Sequence, residues 1–82
     1  MTIATSTLSN YSPRTADCGP NNHAIAGGMK GLGSGDNEGL IGSFPSDSTG
    51  APLQAGDTNP RYWTVTIRGD NEVRAFALCV PN

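Results

Sequence analysis

From Trp63 to Val80 the chain reads Trp-Thr-Val-Thr-Ile-Arg-Gly-Asp-Asn-Glu-Val-Arg-Ala-Phe-Ala-Leu-Cys-Val, and this is its one long segment with a clean period. Trp63, Val65 and Ile67 alternate with Thr64, Thr66 and Arg68, which is the period of two of a strand with one buried face. Gly69, Asp70 and Asn71 then supply turn residues that tolerate positive φ. A two-residue turn at Asp70 and Asn71 predicts a C-terminal β-hairpin in which Trp63 opposes Leu78, Val65 opposes Phe76 and Ile67 opposes Arg74. The large apolar side chains would share one face, and Thr64, Thr66, Ala75 and Ala77 would form a thinner second face.

The remaining chain points the same way. Eleven glycines and six prolines in 82 residues favour short strands broken by turns, and no window carries a helical period. A hydrophobic content of 35% with 15% charge describes neither a charged disordered tail nor a membrane span. The net charge of −2, with five scattered basic residues, offers no stripe for nucleic acid or anionic lipid.

Residues 1–14 are rich in Ser and Thr, with isolated Ile3, Leu8 and Tyr11, and read as an extended N-terminal arm that is either free or ordered against a neighbouring subunit. Residues 15–82 read as a single β domain. After the turn-rich Asp17 to Asn22, His23 to Met29 is a strand with Ile25 inward, and Gly27 and Gly28 mark a bulge or a close backbone approach. Lys30 to Gly39 is a glycine-rich loop. Leu40 to Phe44 is the next strand, with Pro45 as its stop. Ser46 to Pro60 is a long polar connection, suited either to a crossover between layers or to a contact surface. The expected core is Ile25, Ile41, Phe44, Trp63, Val65, Ile67, Phe76 and Leu78.

A chain this short buries a limited fraction of its surface and needs a staple, a partner or both. Cys18 and Cys79 supply a candidate staple. A bridge between them would close a loop of about 60 residues and contribute roughly 4 kcal/mol by loop-closure reasoning. Two buried thiols or a crosslink between chains are the alternatives. A disulfide implies an oxidising destination. The first ten residues carry neither a basic start nor an apolar run, so no signal peptide is visible. The expectation is that a signal was removed or that the protein leaves the cell by another route, such as within a virion.

Ala16-Asp17-Cys18-Gly19-Pro20, Ala26-Gly27-Gly28, Ser43-Phe44-Pro45, Tyr62-Trp63-Thr64-Val65 and Ala75-Phe76-Ala77-Leu78-Cys79-Val80-Pro81 follow one another in a set order. The series resembles a β module of uncharacterised bacterial surface and secreted proteins and of phage virion or fibre proteins. That module has Cys-Pro at a strand start, a Gly-Gly-Gly exit, a Trp-x-Val strand and a closing Ala-x-Cys. The resemblance spans about Thr15 to Pro81 and implies an extracellular β domain with a structural or attachment role. It departs at Cys-Gly-Pro for Cys-Pro and at Gly-Gly-Met for three glycines, and it brings no catalytic residue.

The candidates for chemistry are thin. His23 is the sole histidine, and nothing singles out a nucleophile to join it and Asp17. A cysteine committed to a disulfide cannot serve as the thiolate of a Cys18–His23 pair. One His and two distant Cys do not make a zinc site. Asp36-Asn37-Glu38 and Asp70-Asn71-Glu72 are oxygen-rich turns without the ligand spacing of an EF-hand. Gly31 to Gly35 lacks the ending and following helix of a phosphate loop. In Arg68-Gly69-Asp70, the turn already accounts for Gly and Asp.

These readings converge on an all-β, small antiparallel sandwich or prism-like domain of five to seven strands, with a C-terminal hairpin and a disulfide staple. The expected function is non-catalytic: a virion or extracellular-surface structural protein, such as a capsid decoration or fibre-tip protein, that packs with other subunits as a homo-oligomer, a trimer in preference, without nucleic acid, membrane, metal or cofactor. The alternative is a secreted monomeric module that binds carbohydrate or another surface ligand through Tyr62 and Trp63. The exposure of these two rings separates the readings.

Overall fold

A computed structural model describes residues 1–6, 13–31, 39–68 and 73–82. Six strands lie in them: β1 (Thr2–Thr5), β2 (Arg14–Asp17), β3 (Asn22–Gly31), β4 (Gly39–Ser46), β5 (Tyr62–Arg68) and β6 (Val73–Pro81). They form two antiparallel three-stranded sheets, ordered β1-β6-β3 and β2-β5-β4, called here the β6 sheet and the β5 sheet after their central strands. The sheets pack face to face as an all-β sandwich around one core.

The predicted hairpin does not form. β5 and β6 are neighbours in sequence but lie in different sheets: Trp63 opposes Ala16 and Pro45, whereas Leu78 opposes Ile3 and Ala26. The turn assigned to Gly69, Asp70 and Asn71 lies outside the described residues.

The face of β6 is also the reverse of the one expected. Val73, Ala75, Ala77 and Cys79 are buried, and Phe76, Leu78 and Val80 take the alternate, outward positions. Two constraints require this. Trp63, Val65 and Ile67 of the opposite sheet already occupy the space between the layers, so the facing strand must be narrow. Cys79 must also point inward to meet Cys18, and residues two apart share a face.

Of the expected core, Val65 and Ile67 are buried and Trp63 packs against them. Ile25 is 53% exposed and Leu78 36%, and Phe76 is half-buried on the same outward face. Ile25 falls there because β3 slips register between Ala24 and Ala26, leaving it as the extra residue of a bulge. Phe44 opposes Thr64 and so lies on the outward face of the β5 sheet, half-buried. The side chain of Ile41 lies outside the described residues.

The disulfide is Cys18–Cys79, with Cα atoms 5.6 Å apart. It joins the residue just past β2 to the last strand, and so ties one sheet to the other. A second inter-sheet constraint is Gly27, the inward residue of β3. A Cβ there would overlap the Trp63 ring, so only glycine lets β3 approach the indole. Trp63 Nε1 donates to Ser43 Oγ at 2.8 Å, which satisfies its polar end.

Part of the segment read as an arm belongs to the domain. Residues 2–5 pair with β6 as an edge strand, and Ser6 continues the attachment: its N–H donates to Ala75 O at 2.9 Å, and its Oγ accepts from Ala75 N at 2.8 Å. Leu8 and Tyr11 lie outside the described residues. β4 runs through Pro45 to Ser46 instead of stopping before it. Among the described strands it neighbours only β5, and proline is tolerated in such an edge strand.

Candidate functional site

Outward positions of the β5 sheet carry hydroxyls. Thr15 and Thr64 are directly opposed, with Oγ1 atoms 2.7 Å apart, and Thr64 Oγ1 is also 2.7 Å from Ser46 Oγ. Ser46 Oγ donates to Asp47 O at 3.0 Å. Each hydroxyl has one proton, so this last bond sets the direction of the row: Thr64 donates to Ser46, and Thr15 donates to Thr64. Thr64 and Ser46 are 0% and 1% exposed although they face away from the core.

The cover over them is the polar connection after β4. Asp47 folds it back: its Oδ1 accepts from Thr49 N at 2.8 Å, Thr49 Oγ1 at 2.6 Å and Ala51 N at 3.1 Å. These donors, the Thr49 hydroxyl foremost, hold the Asp47 carboxyl below its usual pKa. Gly50, at φ 91°, brings the backbone over Thr64 and Thr15, a conformation that favours glycine. Leu53 N then bonds Pro45 O at 3.1 Å, and Pro52 bridges to Ser46.

A second turn follows, closed from both sides. Asp57 N donates to Gln54 O at 3.0 Å, and Gln54 N donates to Asp57 Oδ2 at 2.8 Å. The segment leaves through Asn59, the one described non-glycine residue at positive φ, 51°. Asparagine adopts this region more readily than other non-glycine residues. Pro60 O accepts from Ala24 N at 2.7 Å and Arg61 O from Cys18 N at 2.9 Å, so the strap is pinned to β3 and to the disulfide. Arg61 closes the arrangement with Nε and Nη2 donating to Asp17 Oδ1 and Oδ2 at 2.7 and 3.0 Å. Its guanidinium lies 5.1 Å from the centre of the Tyr62 ring.

Between the two turns runs an open groove of about 610 Å³. Asp47, Leu53, Asp57, Asn59, Arg61 and Tyr62 are among its lining residues.

Among the described residues no segment covers the β6 sheet in this way. Ile3, Ile25 and Leu78 are 67%, 53% and 36% exposed on its outward face, beside half-buried Phe76 and Val80.

The two rings singled out in the sequence separate here. Tyr62 lines the groove, whereas Trp63 points between the sheets. His23 is on β3, its Nδ1 2.8 Å from Asn82 Oδ1 and away from the groove. The oxygen-rich turns Asp36-Asn37-Glu38 and Asp70-Asn71-Glu72, the Gly31 to Gly35 loop and the Arg68-Gly69-Asp70 tripeptide fall wholly or mostly outside the described residues. Among the described residues no group of three or more His, Cys, Asp or Glu is placed to hold a metal ion. Sequence reasoning marked the connection from Ser46 to Pro60 but missed Asp47, Asp57, Asn59 and Arg61 within and beside it. The local signals were Asp-x-Thr, which is the spacing of an Asx turn, and Gly-Asp-Thr-Asn-Pro. Comparison with family models, curated proteins and solved structures finds no match for this chain.

Proposed function

We propose that this chain is a non-catalytic structural or attachment module of a virion or cell surface, and that it assembles with further copies of itself through the outward face of the β6 sheet. The observation behind this reading is the exposure of Ile3, Ile25 and Leu78 across all three strands of that sheet, in a domain whose core is made mainly of Ala, Val and Cys. A contiguous aliphatic face is what an interface exposes before it is covered. A small domain with a thin core gains by burying such a face against an identical one. The disulfide accords with an oxidising setting. No helix of the described residues is long and apolar enough to cross a membrane.

Sedimentation velocity of the full chain over a concentration series tests the proposal. The expected result is a self-associating species that Leu78→Lys and Ile3→Lys each shift to monomer, with near-ultraviolet circular dichroism retained. A wild-type chain that stays monomeric at every concentration, or an oligomer indifferent to both substitutions, overturns it.

A further inference from the structure

The groove lies on the outward side of the β5 sheet, opposite the aliphatic face, so both can be occupied at once. We infer that it binds a neutral, hydroxyl-rich saccharide chain. This goes beyond the assembly reading and does not depend on it.

Several observations support the inference. The groove is open and its volume, about 610 Å³, falls in the range of small-ligand sites. Its polar groups are already fixed: Asp47 and Asp57 are locked in turns by backbone N–H donors, and Arg61 is held by the two hydrogen bonds it donates to Asp17. Little side-chain freedom is then lost on binding. Fixed carboxylates beside the Asn59 amide make an acceptor-rich wall with both donor and acceptor capacity, and this matches hydroxyls, which donate and accept in turn.

Charge selects among ligands. Three carboxylates, Asp17, Asp47 and Asp57, lie in or beside the groove against one guanidinium, Arg61, which disfavours phosphate, sulfate or uronate groups. A cationic peptide meets the opposite difficulty at the Tyr62 ring, where Arg61 already takes the cation position. Tyr62 and Leu53 complete the site, one amphipathic and one aliphatic, offering surfaces to the C–H faces of a sugar ring.

The test is an amide chemical-shift titration of the full chain with cellohexaose, maltohexaose and chitohexaose in turn, and with hexalysine. At least one neutral hexasaccharide should shift the amides of residues 47–49 and 56–62 saturably. Asn59→Gly keeps the backbone at positive φ and deletes only the amide, and should weaken that binding by roughly fivefold, the effect of one hydrogen bond. Tyr62→Ala should weaken it further, and Leu78→Lys should leave it unchanged. The proposal is overturned if no saccharide shifts these amides, if hexalysine alone does, if the shifts map to the β6 sheet, or if a folded Asn59→Gly variant binds like wild type. A monomeric chain that still binds saccharide would sink the assembly reading and leave this one standing.

Discussion

The outward face of the β5 sheet is roofed by the chain itself, whereas on the outward face of the β6 sheet Ile3, Ile25 and Leu78 are exposed and no described segment covers them. Both belong to three-stranded antiparallel sheets of one sandwich, and both sheets contribute their inward side chains to one core. They differ in side chains. The roofed face presents Thr15, Thr64 and Ser46, which bond to one another and to the backbone above them, so the strap from Asp47 to Arg61 has something to hold. The other face presents Ile3, Ile25 and Leu78, which satisfy no strap of this polarity. A polar segment covers hydroxyls at little desolvation cost, whereas an aliphatic face needs an apolar cover. The contrast explains why one face carries a roof and a groove and the other is left with exposed aliphatic side chains.

The bridge that holds these two faces back to back is the first place to break the comparison. Cys18 and Cys79 are 61 residues apart in sequence, and removing the crosslink releases both sheets from a common frame. Cys18→Ser with Cys79→Ser should cost about 4 kcal/mol, a large part of the stability of so small a domain. Urea unfolding followed by Trp63 fluorescence would report it as a midpoint near zero or as loss of the cooperative transition. A midpoint within a few tenths molar of wild type would mean that the sheets hold together by packing alone.

How much of this was legible in the sequence depends on which question is asked of each strand. The alternation of β5 and its inward residues Trp63, Val65 and Ile67 could be read directly, as could the all-β class and the pairing of the two cysteines. The partners of β5 could not. Two consecutive strands with turn residues between them look alike whether they pair as a hairpin or cross from sheet to sheet. Alternation also fixes which residues share a face but not which face is inside, and on β6 the larger side chains drew the assignment to Phe76 and Leu78. The correcting signal was Cys79. Once it must reach across to Cys18, Ala77, Ala75 and Val73 share its parity and follow it inward. The groove was harder still, because it is made by hydrogen bonds between residues far apart in sequence: Asp17 with Arg61, Cys18 with Arg61, and Ala24 with Pro60.

A paired substitution sharpens the comparison directly, because Thr64 and Leu78 are both outward residues of central strands. Thr64→Val keeps the shape and removes the middle hydroxyl of a buried row, leaving the Thr15 hydroxyl without its acceptor and Ser46 without its donor. It should cost about 1 kcal/mol. Leu78→Thr changes an exposed position and should leave the unfolding free energy of the monomer within about 0.5 kcal/mol while weakening self-association. Equal stability losses, measured by chemical denaturation at a concentration where the chain is monomeric, would show that the two faces are not energetically distinct.

The smallest effect expected is at the rim of the roofed face, where Asp17 anchors Arg61. The hydrogen bonds from Arg61 are the main cause holding the Asp17 carboxyl below its ordinary value of 3.8. Partial burial opposes them, and the Gly19 N–H and the charge of Arg61 assist. A carboxyl whose folded pKa is depressed contributes stability that is complete above its unfolded pKa and fades as pH falls through the folded one. Asp17→Asn should therefore lower the melting temperature at pH 7, and the gap from wild type should close as pH falls below the ordinary value of 3.8 and through the depressed folded one. The two side chains are 40% and 45% exposed, so the contribution at neutral pH should stay under about 0.5 kcal/mol, a shift of at most roughly 2–4 °C, and shrink in high salt. Melting curves of both proteins from pH 7 down to pH 2 would show whether it does. A gap that persists at pH 2 would mean that Asp17 acts through the fit of its hydrogen bonds and not through its charge, and the strap would then be held at this rim by the same uncharged bonding that roofs Thr64.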